Sequence, residues 1–260
     1  MIKTAIISPL HQLERYSSLS DTQMCLAQYW DSEPVYRKYF RDMKKRGDCI
    51  IMDNGAYELG QSIDIDSYIK AILELEPSIA IVPDVIMNGE ETVALANDFL
   101  ERFPDLPKWT SLMAVPQGST HEKWTDCLHR LQTLGDFLWW GLPKVCHLVS
   151  PGGRLRAYQT LIDSIPSRER EILNVHLLGI WLDPIREAQD FLNIPQVKSV
   201  DTALPVTLGH LARTLEEFQP HPSGTDFHVI EDVFPDWTLE QVQRFITLCK
   251  NEEVPASAQM

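Results

Sequence analysis

The stretch Ser199-Val200-Asp201-Thr202-Ala203-Leu204-Pro205 places one carboxylate at the end of an apolar, strand-like run, and a proline follows closely. Proline lacks the backbone N–H that a sheet needs, so the strand is expected to end there. Asp53 closes a similar run in Ile50-Ile51-Met52-Asp53-Asn54-Gly55-Ala56-Tyr57. The design recurs in Ala80-Ile81-Val82-Pro83-Asp84 and in Met113-Ala114-Val115-Pro116-Gln117-Gly118. Polar side chains at the carboxyl ends of parallel strands form the active site of a barrel of alternating strands and helices.

Apolar runs alternate with segments of helical period along most of the chain. This alternation predicts a parallel sheet covered on both faces, and we expect a zinc-free (β/α)8 TIM barrel of the α/β class. The expected strands cover residues 4–8, 49–52, 79–82, 111–115, 137–141, 175–180 and 198–200. The expected helices cover residues 65–75, 90–103, 121–134, 155–165 and 184–192. An eighth strand is expected at either 206–208 or 227–230, although neither segment has a clear strand pattern.

Length and composition indicate one globular domain. The 260 residues suit a single catalytic barrel over 1–250, with a flexible polar tail over 251–260. No apolar run approaches the roughly 20 residues that span a bilayer, and the chain starts with a strand-like segment, so we expect neither a membrane span nor a signal peptide. Five widely spaced cysteines favour reduced thiols in a cytoplasmic protein, with no metal site and no cofactor. They are Cys25, Cys49, Cys127, Cys146 and Cys249.

The net charge of −14 argues against nonspecific coating of nucleic acid, because phosphate binding depends on Lys and Arg. Any nucleic-acid contact is therefore expected to be local. The densest basic stretch, residues 36–46, combines cations with aromatic residues that could stack on bases; the alternative is a solvated helix face before Gly47. The turn over residues 150–154 has the glycines and arginines of a phosphate seat. The candidate basic groove consists of Arg37, Lys38, Arg41, Lys44, Lys144, Arg154 and Arg156.

Asp53 and Asp201 are the candidate catalytic residues. A carboxylate at a strand end can act as a nucleophile or as a general acid and base, and two at one mouth can divide these roles if their environments separate their pKa values. The alternative for Asp53 is a turn-forming role beside Asn54-Gly55, and Asp201 could also be structural. His147 and His176 lie on strand-like runs and are interpreted as core residues.

Six short motifs occur in an order and at spacings that resemble the tRNA-guanine transglycosylase superfamily. The chain is most similar to the compact, phage-type branch that inserts 7-deazaguanines into DNA, and the resemblance covers about residues 50–205. The motifs are Asp53-Asn54-Gly55-Ala56-Tyr57, Pro83-Asp84, Val115-Pro116-Gln117-Gly118, Trp140-Gly141-Leu142, Leu177-Leu178-Gly179 and Asp201-Thr202-Ala203-Leu204-Pro205.

The resemblance implies a pentosyltransferase that exchanges guanine in DNA for a free 7-deazaguanine, such as 7-cyano-7-deazaguanine. It makes Asp201 the nucleophile that attacks C1′ and Asp53 the acid and base. Asp84 would read the N1 and exocyclic amine of the purine, and Tyr57 with Leu178 would hold its ring. Core packing of Tyr57 and Leu178, and a simple turn at Gln117-Gly118, are the alternatives. The other residues implied to bind substrate are Asn54, Gly55, Gln117, Gly118, Gly141, Leu142 and Gly179.

The chain departs from the larger RNA-modifying enzymes of that superfamily in two ways. It lacks their Cys-rich zinc module, and Pro205-Val206-Thr207 stands where they have Pro-Thr-Arg. Both differences favour DNA over RNA as the partner, in the cytoplasm or, for a phage-encoded protein, the host cytoplasm. The alternatives are an enzyme of the tRNA-guanine transglycosylase type, a nucleoside or sugar hydrolase that uses the same two aspartates, and a non-catalytic base-binding subunit. The oligomeric state is left open.

Overall fold

Eight parallel strands close into a barrel in which each strand pairs with its neighbours in chain order, and β1 pairs with β8. This is seen in a computed structural model, which describes residues 1–104, 107–180, 183–217, 227–228, 230 and 234–251. The expectation of a TIM barrel is confirmed. The strands are β1 (Lys3–Ile6), β2 (Thr22–Leu26), β3 (Cys49–Asp53), β4 (Ile79–Ile81), β5 (Ser111–Ala114), β6 (Trp139–Pro143), β7 (Asn174–Leu178) and β8 (Val197–Thr202).

Helices cover the outside of the barrel, and several begin where a side chain caps their first N–H groups. Asp64, Asn88, Thr120 and Asp183 each accept a hydrogen bond from a backbone N–H in the first turn that follows. The described α-helices are α1 (Pro34–Arg46), α2 (Ala56–Leu59), α3 (Ile65–Leu75), α4 (Gly89–Arg102), α5 (His121–Leu134), α6 (Cys146–Val149), α7 (Gly153–Ser164), α8 (Pro184–Phe191), α9 (Leu204–His210) and α10 (Trp237–Lys250).

The eighth strand is not where the sequence pattern placed it. Residues 206–208 belong to α9, and Phe227 and His228 are not in a strand, while residue 229 lies outside the described residues. The missing strand is β2, near the start of the chain. Its polar Gln23 interrupts the apolar run, but the side chain is buried and donates to Ser20 O at 2.8 Å and Asp48 Oδ2 at 2.9 Å. A buried polar side chain with hydrogen-bond partners is compatible with a core strand.

The structure also bears on the predictions for the cysteines, for membrane spans and for the C-terminal tail. All five cysteines are free thiols, and four of them are buried. None of the helices in the described ranges is long and apolar enough to cross a membrane. Of the predicted tail, only Asn251 is described, and it follows α10 directly.

The carboxyl ends of β3 and β4 are held together just before their polar residues begin. The buried Tyr68 hydroxyl on α3 lies 2.9 Å from Met52 O and 2.8 Å from Ile81 O. The Tyr68 hydroxyl therefore connects the carboxyl-terminal residues of β3 and β4 to α3, the helix between them. This contact fixes where Asp53 and Asp84 enter the mouth of the barrel, which is the face formed by the carboxyl ends of the strands.

Candidate active site

Asp53 and Asp201 both lie at the mouth of the barrel, at the ends of β3 and β8. Burial raises the pKa of Asp53 well above its ordinary value, and the negative charges of Glu58, Asp84 and Asp201 raise it further. The Gly55 N–H donates to Asp53 Oδ2 at 2.8 Å and opposes this shift. The two side chains lie at the same face of the barrel, and the charge of Asp201 is the smallest of the causes that raise the pKa of Asp53. The structure therefore brings together the pair that the sequence singled out.

Asp201 is held by a backbone N–H and a histidine ring. Its Oδ1 accepts a hydrogen bond from the Gly179 N–H at 2.9 Å and lies 3.0 Å from Nε2 of His176. The second ring nitrogen of His176, Nδ1, lies 2.7 Å from Ser199 Oγ. Within the described part of the chain, neither Asp53 nor Asp201 pairs with a lysine or an arginine. Neither carboxyl group is therefore neutralised by a permanent cation.

Asp84 is fixed by two amides. Asn54 Nδ2 donates to its Oδ1 and Gln117 Nε2 donates to its Oδ2, both at 2.7 Å. Burial raises the pKa of Asp84 to about 6, and the two amides limit that rise. Gln117 is fully buried, and its Oε1 already accepts from the Met87 N–H at 3.1 Å. The structure thus differs from the expectation that Gln117 faces the base: Asn54 and Gln117 orient Asp84 instead.

The glycines of the motifs have packing roles. A Cβ on Gly118 would lie 2.3 Å from Trp124 N, so only glycine allows α5 to approach this turn. A Cβ on Gly141 would lie 2.7 Å from both Leu178 Cδ1 and Val115 Cγ2. Leu142, the next residue of β6, is fully buried. Glycine is required at position 118 because α5 packs against it, and at position 141 because the side chains of Val115 and Leu178 approach it closely.

Tyr57 and Lys144 meet over the mouth. Tyr57, in α2 after β3, is 46% exposed, so the alternative that it is a core aromatic is wrong. Lys144 follows β6, and its Nζ lies 3.7 Å from the centroid of the Tyr57 ring, a cation–π contact. Leu178, at the end of β7, is partly buried and packs against the core. Tyr57 therefore lies just after β3 and is partly exposed, whereas Leu178 lies at the end of β7 and is partly buried.

The predicted basic groove is largely dispersed. The α1 cations pair with acids: Lys38 with Asp42, Arg37 with Asp31, Arg41 with Glu74 and Lys44 with Glu76. Helix α1 runs from the mouth to the opposite face of the barrel, where Lys44 in its last turn also donates to Leu75 O.

Arg154 also departs from the predicted groove. Its side chain is fully buried, Nη1 lies 2.7 Å from Glu187 Oε1, and Nη2 donates to the carbonyls of Leu178 and Gly179 at 3.0 and 2.7 Å. Because the Arg154 side chain is buried and paired with Glu187, it cannot also bind a phosphate group at the surface. Lys144 and the exposed Arg156 remain as cations near the mouth, and neither has an acidic partner within the described ranges.

Sequence reasoning missed three side chains of this site. Glu58 acts on Asp53 through its charge, and His176 and Ser199 support Asp201. Alternation along β8 places Ser199 on the face of Asp201, a signal that the sequence offered. His176 is buried as expected, but it is also bonded to the site. Among the residues that the structure describes, no group of three His, Cys, Asp or Glu side chains could hold a metal ion.

No family model and no curated protein matches this chain. Solved structures do match it, at low identity. KGPDC from Streptococcus mutans has a TM-score of 0.50 at 9% identity, covering 93% of this chain and 96% of its own. The 3-keto-L-gulonate-6-phosphate decarboxylase from Vibrio cholerae has a TM-score of 0.42 at 12% identity, covering 94% and 98%. The first likeness supports the barrel fold alone and bears on no activity.

We predict that the pKa of Asp53 lies well above its ordinary value and that it falls in Glu58→Gln, because one negative charge is then removed. Asp201→Asn should lower it as well, by a smaller amount, since Asp201 is the weaker of the two causes. Carboxyl 13C chemical shifts followed through a pH titration measure both effects. Asp126→Asn on the exposed face of α5 is the matched control and should change nothing. Titration of Asp53 in the native chain at the ordinary aspartate pKa of about 4 would contradict this prediction.

Proposed function

We propose that this barrel exchanges guanine in DNA for a free 7-deazaguanine through a covalent aspartyl–sugar intermediate. The observation that carries the proposal is the unequal environment of two carboxyl groups at one mouth. Asp53 is half-buried among negative charges that favour its protonated form, whereas Asp201 has hydrogen-bond donors on Oδ1. Two carboxyl groups whose environments differ in this way can act as acid and nucleophile.

The exchange has two balanced steps. In the first, a carboxylate oxygen of Asp201 bonds to C1′ while the C1′–N9 bond breaks, and the departing guanine takes the proton of Asp53. In the second, Asp53 removes the N9 proton of the incoming base, N9 bonds to C1′, and the aspartyl ester bond breaks to restore the carboxylate. Two displacements at C1′ retain configuration, as in retaining glycosidases. No redox partner is required.

Asp84 supplies the proposed purine contact. Asn54 and Gln117 each occupy one lone pair on its two oxygens, which leaves further lone pairs on both. With a pKa of about 6, the group is mainly ionised at neutral pH. A fixed carboxylate can accept the N1–H and the exocyclic N–H of guanine together. A 7-deazaguanine presents the same edge, so this contact serves the outgoing and the incoming base alike.

The proposed contact between DNA and the protein is small and confined to the mouth of the barrel. A chain of net charge −14 repels a polyanion over most of its surface, so attachment depends on the few unpaired cations near the mouth. Lys144 is well placed because it already lies at the mouth over Tyr57. A nucleoside turned out of the helix would take the exposed face of Tyr57 as a stacking surface, while Lys144 turns to a phosphate.

We expect Asp201→Asn and Asp53→Asn each to lower guanine exchange by at least about 10³-fold, since each removes a group that takes part in bond making or proton transfer. The assay is incorporation of labelled guanine into duplex DNA, with thermal unfolding followed in parallel. Asp126→Asn is the matched control and should keep full activity. Full activity in Asp201→Asn would refute the mechanism. Turnover of free nucleosides without incorporation would identify the hydrolase alternative instead.

We also expect Lys144→Ala to weaken duplex DNA binding and to reduce the slope of log affinity against log salt by about 1 in magnitude. The matched control is Lys45→Ala, which removes a similarly long cation from the last turn of α1, at the face away from the mouth. Fluorescence anisotropy at several salt concentrations measures both. Equal losses in the two variants would show that binding is not centred on the mouth.

A further inference from the structure

His176 and Ser199 form a buried chain of hydrogen bonds beneath Asp201. His176 stands in β7, opposite Ser199 in the neighbouring β8, and its side chain is fully buried. Ser199 and Asp201 are two residues apart on one strand, so both face the same side of the sheet. The imidazole ring lies between them, with Nδ1 at 2.7 Å from Ser199 Oγ and Nε2 at 3.0 Å from Asp201 Oδ1.

The hydrogen bonds from Ser199 through His176 to Asp201 have one consistent donor-to-acceptor direction. A hydroxyl can donate or accept, whereas a carboxylate oxygen only accepts, so Nε2 must carry the proton that lies between His176 and an ionised Asp201. In the neutral ring Nδ1 is then an acceptor, and Ser199 is the group that donates to it. Ser199 Oγ has no other hydrogen-bond partner among the described residues. The acceptor-only carboxylate of Asp201 therefore fixes the tautomer of the ring, and Ser199 completes the hydrogen-bond chain by donating to Nδ1.

The two oxygens of Asp201 are not equivalent. Oδ1 receives both donors, the His176 ring and the Gly179 N–H. Oδ2 accepts no hydrogen bond from the residues described, and the side chain retains 9% exposure. The second donor is itself fixed, because Arg154 holds the carbonyls of Leu178 and Gly179 on either side of that N–H.

We propose that His176, hydrogen-bonded between Ser199 and Asp201, is a positioning residue that holds Asp201 through Oδ1 and presents Oδ2 as the attacking atom. The inference rests on the proposed function and adds the atom and the residues that orient it. Oδ2 forms the bond to C1′, and Oδ1 becomes the carbonyl oxygen of the ester. The same two donors then stabilise the carboxylate as the ester bond breaks in the second step.

The tautomer is the first test, and it does not depend on activity. In 15N-labelled protein, long-range correlation of the His176 ring should show a proton on Nε2 and none on Nδ1. Ser199→Ala should leave the proton on Nε2, because Asp201 still requires a donor there, but should shift the Nδ1 resonance, because that nitrogen loses its hydrogen-bond donor. A protonated Nδ1 in the unaltered protein would overturn the proposal, whether the ring is neutral or charged. An unchanged spectrum in Ser199→Ala would overturn the role of Ser199.

Kinetics is the second test. His176→Phe should lower kcat for guanine exchange by roughly 10- to 100-fold with KM for the base unchanged, because the nucleophile is misplaced while the pocket is intact. His176→Gln can donate from Nε2 and should recover most of that loss. His129→Phe, exposed on α5, is the matched control. Equal activity in the Phe and Gln variants, with folding verified by circular dichroism, would overturn the proposal.

The two tests separate the possible failures. If the unaltered protein exchanges no base while the ring is protonated at Nε2, the proposed function fails and the positioning of Asp201 stands. If exchange occurs and the ring carries its proton on Nδ1, the proposed function stands and the inference fails.

Discussion

Several carboxyl groups buried around one barrel mouth cannot all be ionised without a large cost in solvation and repulsion, and this constraint governs the site. The pKa of Asp53 is raised for this reason, since burial and the charges of Glu58, Asp84 and Asp201 all favour its protonated form. Asp84 is kept closer to its ordinary range by two amide donors. The fold sets up the difference by ending separate strands at one face. Asp53 and Asp201 are chemically alike and differ in their surroundings, and the proposed division into acid and nucleophile depends on that difference.

The neighbours of the site serve this arrangement more than they serve a ligand. The side-chain amides of Asn54 and Gln117 donate hydrogen bonds to Asp84. The guanidinium group of Arg154 pairs with Glu187 and donates to the carbonyls on either side of the Gly179 N–H. Groups that are locked by their own partners hold a catalytic side chain in one geometry. The proposed contact with a polyanion therefore depends on few cations, since the net charge of the chain is strongly negative.

Sequence patterns located seven of the eight strands and the residues at their ends, because apolar runs and prolines are local signals. They missed β2, since Gln23 becomes a core residue only when Ser20 and Asp48 satisfy its amide. For the same reason they mistook Gln117 for a base contact and Arg154 for a phosphate contact. The partners of these side chains come from distant parts of the chain, and no local pattern shows them. Asp53 and Asp201 could be found because a carboxylate after an apolar run is itself unusual.

The central claim is that Asp201 becomes covalently bound to the sugar while a base is exchanged. Its most direct measurement is mass spectrometry of peptides after the protein has reacted with duplex DNA and been denatured before the second base can enter. The account predicts a nucleic-acid adduct on the peptide that contains Asp201, with no adduct in Asp201→Asn. An adduct on any other residue, or base exchange that proceeds with no adduct at all, would contradict it.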